Sequence, residues 1–203
     1  MDIRQFFFKY RSYTPIPIAI LIIHFASEQR PYFLLGVLML LFGESIRIWA
    51  VSFAGGKTRT RKVGAPELCT SGPYAFTRNP LYLGNMFMYI GIALVAGAPN
   101  IIFMILIIFS FFMIQYTLIV SLEEETLTHL FGEAYVNYKN NVPPIFPRLT
   151  PWKNTDQAKR IPLLKTLKTE KRTLQNVFLI LTLIFLRSQN IFSWLKHMVF
   201  SFS

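Results

Sequence analysis

The sequence has little of what a soluble or secreted protein usually contains. It holds one cysteine, Cys69, so no intrachain disulfide can form and nothing indicates an oxidising compartment. Acidic residues are scarce, because 10 Asp and Glu stand against 21 Lys and Arg, which gives a net charge of +11. No small-residue cleavage site follows the first apolar run, so a cleavable signal peptide is not expected. Charged residues make up only 15% of the 203 residues and hydrophobic residues 53%, which argues against an ordinary soluble domain.

The apolar residues are gathered into four blocks, and such blocking is typical of a membrane protein. The blocks comprise residues 15–26, 32–54, 81–97 and 101–122. The first is short for a full span, and the last two predict a helical hairpin because a tight turn joins them. Small residues recur every seven positions in the second and third blocks, which would let neighbouring helices approach closely. They are Gly36, Gly43, Ala50, Gly84 and Gly91.

The predicted fold class is all-α, a polytopic transmembrane bundle of about four spans. Three regions are expected: N-terminal transmembrane helices over 1–54, a core over 55–148, and a basic tail over 149–203. After Glu123–Glu125 an amphipathic helix is expected to about Lys139, ended by the prolines of "NNVPPIFP". In the tail, the apolar run 177–186 is short and residues 191–202 have one apolar face. The tail is therefore predicted to lie on the membrane surface.

The distribution of charge predicts which side of the membrane each segment faces. Positive residues cluster at the N-terminus, at 57–62 and after residue 139, whereas the turns at 27–31 and 97–100 are neutral. The N-terminus, the loop at 55–80 and the C-terminus are therefore expected on the cytoplasmic side. Anionic lipid explains the positive charge better than nucleic acid does, so the bilayer is the expected partner. The three histidines are too scattered to predict a metal site.

Residues 70–85, "TSGPYAFTRNPLYLGN", are rich in conformational and polar detail at the start of an apolar block. Asn79 and Pro80 are a preferred N-cap and first helical residue, so they predict the start of the third helix. A well-capped membrane helix would by itself explain this pair. A helix N-terminus also suits a carboxylate or phosphate. Tyr74 and Tyr82 would lie beside it, and Arg78 is a candidate anchor or substrate contact.

The glutamates at 123–125 carry the second signal. On a helical wheel, Leu127, Leu130, Phe131, Ala134 and Tyr138 share one face, with Tyr135 beside it. Glu123 and Glu124 fall within or next to that face, and Glu125 falls opposite. Carboxylates at the end of a span are candidate functional groups, although pairing with the basic loop would also explain them. Together the two stretches predict a cytosol-facing pocket that fits a zwitterionic, nucleotide-like cofactor.

The residue pattern resembles the isoprenylcysteine carboxyl methyltransferase and phospholipid methyltransferase superfamily of integral membrane enzymes. "TSGPYAFTRNPLYLGN" is similar to the first family motif, and "EEETLTHLFGEAYVNYKNNVPPIFP" is similar to the second. The resemblance covers about residues 66–148. It implies S-adenosylmethionine as the methyl donor, with no single catalytic residue identified. The implied cofactor-binding residues are Pro66, Glu67, Leu68, Cys69, Tyr74, Asn79, Pro80, Leu81, Tyr82, Glu123 and Glu124.

Two departures from the prenylcysteine enzymes concern the acceptor. Asn79 stands where those enzymes have histidine, and residues 101–122 lack the arginine that holds a substrate carboxylate. A neutral or zwitterionic acceptor is therefore predicted, with poor turnover of prenylcysteine carboxylates. Thr117 and Ser121 are four residues apart on one helical face and are expected to bind the acceptor.

The predicted function is methyl transfer from S-adenosylmethionine to a lipid or other hydrophobic small molecule. Three alternatives stay open: an NADPH-dependent sterol-type reductase, a prenylcysteine carboxyl methyltransferase and a non-catalytic membrane scaffold. The reductases end in a similar glutamate and tyrosine pattern but usually have more helices. Protein partners are not predicted.

Overall fold

The computed structural model describes residues 2–55, 64, 67–153 and 160–189, and helices dominate these ranges. Their order is α1 (Ile3–Lys9), α2 (Ile16–His24), α3 (Phe33–Ala54), a 3-10 turn (Gly72–Ala75), α4 (Pro80–Ala96), α5 (Ile101–Phe131), α6 (Glu133–Asn141) and α7 (Leu163–Ser188). No strand occurs in these ranges, so the all-α prediction is confirmed. The predictions for 57–62, Pro66 and 191–202 lie outside the described residues.

Helices α3 and α4 pack at close range through the predicted small residues. A Cβ atom placed on Gly43 would lie 2.6 Å from the carbonyl oxygen of Gly84. One placed on Gly36 would lie 2.7 Å from the backbone nitrogen of Val95. Both distances are shorter than carbon can make with backbone atoms, so only glycine allows this approach.

Two helices, α3 and α5, are long and apolar enough to cross a membrane. Their outward faces carry large apolar side chains such as Leu34, 70% exposed, and Ile102, 74% exposed. Water would not favour such surfaces, and hydrocarbon does. The chain is therefore an integral membrane protein. Helix α4 has 17 residues, about 26 Å at ~1.5 Å per residue, and the predicted count of four spans is not confirmed.

The first apolar block belongs to a broken helical segment. Helices α1 and α2 have 7 and 9 residues and are separated by the turns of residues 10–15. Arg4 in α1 pairs with Glu125 at 2.8 Å, near the end of α5. The backbone nitrogen of Ser27, after α2, donates to the carbonyl of Ala96 at the far end of α4. The segment thus passes from one end of the bundle to the other in two short pieces.

Helix α5 continues through the three glutamates to Phe131, contrary to the prediction of a new helix after them. It ends at Gly132, which has a φ of 53°, and α6 begins at the next residue. The helical wheel is wrong for two residues of the predicted buried face, one on each side of this glycine. Leu130 is 56% exposed and Ala134 is also exposed. Tyr135 and Tyr138 are buried, each 2% exposed.

Helix α7 requires a correction to the prediction of a surface tail. It packs against α2, α3 and α4. Glu170 and Thr166 on this helix are completely buried. The tail prediction counted only the ten apolar residues 177–186, whereas the helix has 26 residues and is held by polar contacts as well. Residues 163–188 are thus part of the bundle.

The ends of α7 also differ from the predicted topology. The backbone nitrogen of Ile161 donates to Ser52 at the end of α3, whereas Ser188 accepts a hydrogen bond from Arg30, which precedes α3. Helix α7 therefore runs antiparallel to α3 along its length. The N-terminus and the loop before α4 lie at one end of the bundle, as predicted, but Ser188 lies at the opposite end.

Candidate active site

A cavity of about 1050 Å³ lies within the bundle, bordered by α4, α5, α6, α7 and the connection between α1 and α2. It brings together nearly all of the residues that the two motifs predicted for the cofactor site. Those lining it are Glu67, Leu68, Cys69, Tyr74, Asn79, Pro80, Leu81, Tyr82, Glu123 and Glu124, together with Arg78. Residues more than fifty positions apart in sequence thus line one cavity.

Backbone hydrogen bonds join the two motifs. Trp152 and Arg148 donate to the carbonyls of Ala75 and Phe76, at 2.9 and 3.0 Å. The amide of Arg78 donates to the carbonyl of Pro143 at 2.9 Å. The proline-rich segment after α6 therefore serves as a strap that holds the loop before α4.

Asn79 and Pro80 begin α4, as the sequence predicted. The prediction that the Asn79 side chain caps the helix is wrong, however, because this side chain makes no hydrogen bond to the first turn of α4. Its Nδ2 donates to the carbonyl of Pro144 at 3.0 Å instead. Asn79 thus ties the helix start to the strap, while Pro80 occupies the first helical position.

Glu123 faces the cavity and contacts an aromatic wall. The Tyr82 hydroxyl donates to Glu123 Oε1 at 3.0 Å. The Tyr82 ring stacks on Tyr116, with ring centroids 4.3 Å apart. The Tyr116 hydroxyl accepts a hydrogen bond from Asn85 Nδ2 at 3.0 Å. A carboxylate placed beside tyrosine rings can bind an amine, a hydroxyl or a sulfonium-bearing group.

Glu124 also faces inwards, but both of its oxygens are engaged by cations. Arg78 holds Oε1, and Lys139 Nζ lies 2.8 Å from Oε2. The Arg78 guanidinium donates further to the carbonyls of Lys139 and Val142. Arg78 is therefore committed to clamping α5, α6 and the strap, and the prediction that it contacts substrate receives no support from this geometry.

Glu125 points away from the cavity, with its side chain 53% exposed. The predicted orientation of the three glutamates is thus confirmed: two face inwards and one faces outwards.

Two buried tyrosines, Tyr74 and Tyr138, form part of the cavity wall. The Tyr138 hydroxyl donates to the carbonyl of Tyr74 at 2.7 Å. Burial raises the pKa of both phenols, so both hydroxyls remain protonated donors at neutral pH. Tyr138 thereby connects α6 to the 3-10 turn that precedes α4.

The predicted acceptor contacts on α5 are wrong. Thr117 and Ser121 are exposed on the outer surface of the helix and do not line the cavity. Their hydroxyls donate to the carbonyls of Met113 and Leu118 in their own helix. The spacing argument correctly put them on one face, but that face points outwards.

A buried ion pair was missed by the sequence analysis. Arg47 Nη2 lies 2.5 Å from Glu170 Oε2, and Arg47 Nη1 donates to Asn85 Oδ1 at 2.6 Å. Within α3, Arg47 Nε also lies 3.8 Å from Glu44 Oε2. Glu170 lies 123 residues further on, in a segment interpreted as a tail. An acidic residue in that otherwise basic segment was the available signal.

Cations from outside α5 also line the cavity. They are Lys9, Arg11, Arg47, Arg78, Lys165 and Arg172. The prediction of a neutral or zwitterionic acceptor rested on the absence of Lys and Arg from residues 101–122. Because other elements supply positive charge, that reasoning no longer disfavours an anionic acceptor.

Comparison with known proteins agrees with the fold and the site. The phospholipid methyltransferase family model matches residues 31–134, about half of the chain, and the chain belongs to this family. That range contains α3, α4, the whole of α5 and the loop before α4.

Curated relatives come from animals, yeast and bacteria. Rat protein-S-isoprenylcysteine O-methyltransferase is 34% identical over 118 residues, which covers 55% of this chain and 40% of the relative. The human protein of the same name is 34% identical over 117 residues, with the same coverage. A nickel-cobalt-cadmium resistance protein, NccN, from Alcaligenes xylosoxydans xylosoxydans is 31% identical over 117 residues, or 58% of this chain and 49% of the relative. The matched part thus spans less than half of each relative. No solved structure is significantly similar to the chain.

Proposed function

We propose that this chain is a membrane-embedded methyltransferase that uses S-adenosylmethionine and acts on an amphiphilic acceptor. The observation that carries the proposal is the single cavity shared by the two motif regions, with Glu123 and the N-terminus of α4 on its wall. Family membership and relatives named as methyltransferases support the same reaction class. A scaffold would not need such a chamber.

The residues present fit the proposed donor. Glu123 would bind its amino or ribose groups, since a carboxylate accepts hydrogen bonds from both. Tyr74 and Tyr82 would offer rings to its cationic part, and the first turn of α4 would face its carboxylate. When bound, S-adenosylmethionine supplies a methyl group already activated on a sulfonium. The chain itself would orient the reactants and exclude water.

The size of the cavity allows two ligands. Pockets for single small molecules usually occupy about 300–1,000 Å³, and this cavity has about 1050 Å³. Apolar side chains such as Phe8, Phe112 and Ile180 line part of it. A donor and the reacting end of a lipid or other hydrophobic acceptor could therefore occupy it together.

A prenylated cysteine is the second candidate acceptor. Three observations favour it: the names of several relatives, the apolar lining and the cavity-facing cations. An assay with a farnesylated cysteine carrying a free carboxylate distinguishes it from a neutral lipid acceptor. Turnover of that compound supports the prenylcysteine alternative, and turnover of extracted lipids alone excludes it.

We place the end of the bundle that carries α1 and the loop before α4 on the cytoplasmic side. Its support is the positive charge of the N-terminus and of residues 57–62. This orientation would open the donor site toward the compartment in which S-adenosylmethionine is made.

Calorimetric titration of the purified protein in nanodiscs tests the reaction class. Binding of S-adenosylmethionine and not of NADPH is expected, and the reverse result would replace the proposal with a reductase. If the protein binds neither compound, the alternative of a non-catalytic membrane scaffold remains. Incubation with methyl-labelled donor and a lipid extract, followed by mass spectrometry, then identifies the acceptor.

A further inference from the structure

A chain of polar contacts runs along the cavity wall from α7 to α5. Glu170 on α7 pairs with Arg47 on α3, and Arg47 Nη1 donates to Asn85 Oδ1 on α4 at 2.6 Å. Asn85 Nδ2 in turn donates to the Tyr116 hydroxyl on α5 at 3.0 Å. All four side chains line the cavity. Four helices thus contribute to one polar connection beside the proposed donor site.

Arg47 determines the direction of the hydrogen bonds in this chain. A guanidinium only donates, so the Asn85 side chain must direct its oxygen toward Arg47. The amide nitrogen of Asn85 then faces Tyr116, and because it also only donates, the Tyr116 oxygen must accept. The hydroxyl hydrogen of Tyr116 is therefore not used by Asn85. Glu170 holds Arg47 in place, so a helix that begins after the matched family region sets this direction.

The hydroxyl hydrogen of Tyr116 has no acceptor in the part of the chain that the structure describes. The Tyr116 side chain is 2% exposed, and its one hydrogen bond is the bond that it accepts from Asn85. Leaving a buried donor without an acceptor is costly. A phenol keeps its proton at neutral pH, and Tyr116 lines the cavity. A molecule bound in the cavity can therefore supply the acceptor.

Two ring contacts restrict the Tyr116 side chain. Its ring stacks on Tyr82, with centroids 4.3 Å apart, and on Phe112, with centroids 5.2 Å apart. Tyr82 bonds to Glu123 of the proposed donor site, whereas Phe112 is completely buried in the main core. The hydroxyl is thus held at a fixed place in the cavity wall.

Tyr116 lies between the polar part and an apolar part of the cavity. It precedes Glu123 by seven residues, which is about 10 Å along α5 at ~1.5 Å per residue. Further along the helices from the donor site, the lining includes Met88 and Ile92 on α4 and Phe112 on α5. A molecule whose reacting head group lies beside the donor would therefore place at Tyr116 the atoms that join its head group to its hydrocarbon chain.

We propose that the Tyr116 hydroxyl donates a hydrogen bond to a neutral carbonyl oxygen of the acceptor, the ester carbonyl of an acyl lipid. This inference rests on the proposed methyl transfer to an amphiphilic acceptor. A carbonyl offers two lone pairs to the phenol proton, and in acylated lipids it joins the head group to the hydrocarbon chain. An anionic group is disfavoured at this place, because Arg47 is already engaged by Glu170 and Asn85. Asn85 is a positioning residue, since it acts through Tyr116.

Competition between two lysolipids tests this contact. The probes are palmitoyl lysophosphatidylethanolamine, which is an ester, and its O-hexadecyl ether analogue, which has the same head group and chain length but lacks the carbonyl. The full chain in detergent is incubated with equal amounts of both, and native mass spectrometry gives the ratio of the bound lipids. The wild-type protein should bind the ester about threefold to tenfold better than the ether, the scale of one hydrogen bond between neutral groups.

Three variants separate this hydrogen bond from general damage to the cavity. Tyr116→Phe keeps the stacked ring and removes the proton, so the two lipids should bind equally. Asn85→Asp should have the same effect, because a carboxylate only accepts and would take the Tyr116 proton itself. Combining it with Tyr116→Phe should change the ratio no further. Tyr32→Phe is the matched control and should keep the wild-type ratio, since Tyr32 is 47% exposed and does not line the cavity.

Several results would overturn the inference. They are a wild-type protein that binds both lipids equally or binds neither, and an unchanged ester preference in Tyr116→Phe. If Tyr116→Phe weakens S-adenosylmethionine binding and keeps the ester preference, the hydroxyl belongs to the donor site instead. If Tyr116→Phe does not fold, Asn85→Asp decides, and an ester preference that persists there counts against the contact. Failure of the proposed function looks different, because the wild-type protein then fails to bind S-adenosylmethionine whatever the lipid ratio.

Discussion

Glu123 is the residue on which the proposed donor site depends most. Its carboxylate accepts a hydrogen bond from Tyr82 and faces the cavity. Replacing Glu123 with Gln should weaken S-adenosylmethionine binding by about 1–3 kcal/mol, because a charged hydrogen bond to the donor is lost. Calorimetric titration measures the change. Glu125→Gln is the control on the exposed side of the same helix, and an equal loss in that variant would refute a specific role for Glu123.

Arg78 is expected to contribute to the stability of the fold and not directly to the reaction. Its side chain is 8% exposed and joins Glu124 to the carbonyls of Lys139 and Val142. Arg78→Gln should lower the free energy of unfolding by about 1–3 kcal/mol, since Glu124 and two carbonyls lose partners while Lys139 remains. Unfolding in mixed micelles measures this effect. Arg148→Gln removes a cation that bonds the single carbonyl of Asn141, and it should cost clearly less; a larger cost there would contradict the clamp.

At the scale of helices, the approach of α3 to α4 depends on glycine. Gly43→Leu should destabilise the bundle by more than about 1–3 kcal/mol, the usual cost of overpacking, because its Cβ would meet backbone as well as the Met88 side chain. Ser45→Leu, two residues away on the lipid-facing side of α3, should be tolerated. Thermal unfolding of both variants gives the comparison. Equal stability of the two would mean that α3 and α4 do not pack as closely as the structure shows.

The pairing of α7 with α3 depends on Arg47 and Glu170. Either Arg47→Met or Glu170→Leu alone should cost about 3–5 kcal/mol, because one charge remains buried without its main partner. The double variant should cost less than the sum, since both charges are gone. A double-mutant cycle in mixed micelles measures the coupling. Lys168→Met, at an exposed position of α7, is the control, and additive losses at Arg47 and Glu170 would disprove the pairing.

Local signals in the sequence predicted the elements they directly control. Pro80 set the start of α4, and the seven-residue spacing of glycines predicted a close helix pair, because both depend on neighbouring backbone geometry alone. The inward direction of Glu123 and Glu124 followed from helical periodicity. The same periodicity failed at Ala134 because Gly132 ends the helix before it, and a glycine inside "LFGEA" does not by itself show whether a helix continues. It also failed at Leu130, which lies within α5 and is exposed.

The predictions that failed depended on contacts distant in sequence. The Asn79 side chain donates to the carbonyl of Pro144 instead of capping α4. The burial of Glu170 depends on Arg47, which lies more than a hundred residues away in sequence. Thr117 and Ser121 were placed on a common face, but only the packing of α5 decides that this face points outwards.

For the whole molecule, α7 changes the expected topology. If α3 crosses the membrane and α7 runs antiparallel to it, Gln189 lies on the side opposite the loop before α4. The positive charge of the tail then does not determine the side of the membrane on which the tail lies. The reason is that packing through the Arg47–Glu170 pair positions α7 in addition to the positive-inside preference. The C-terminal end of the described chain would lie across the membrane from the donor site.

Cysteine labelling in sealed vesicles tests this topology. In a Cys69→Ser background, Leu149→Cys and Gln189→Cys should react with a membrane-impermeant maleimide from opposite sides, because Leu149 lies by the strap and Gln189 follows the far end of α7. Leu149 is 98% exposed and Gln189 is also exposed, so access to the reagent is not limiting. Asp2→Cys is the control and should react from the same side as Leu149→Cys, since α1 contacts the end of α5 near Glu125. Reaction of Leu149→Cys and Gln189→Cys from one side would show that α7 does not cross. That result would contradict this structure, because the buried pair of Arg47 and Glu170 holds α7 alongside α3.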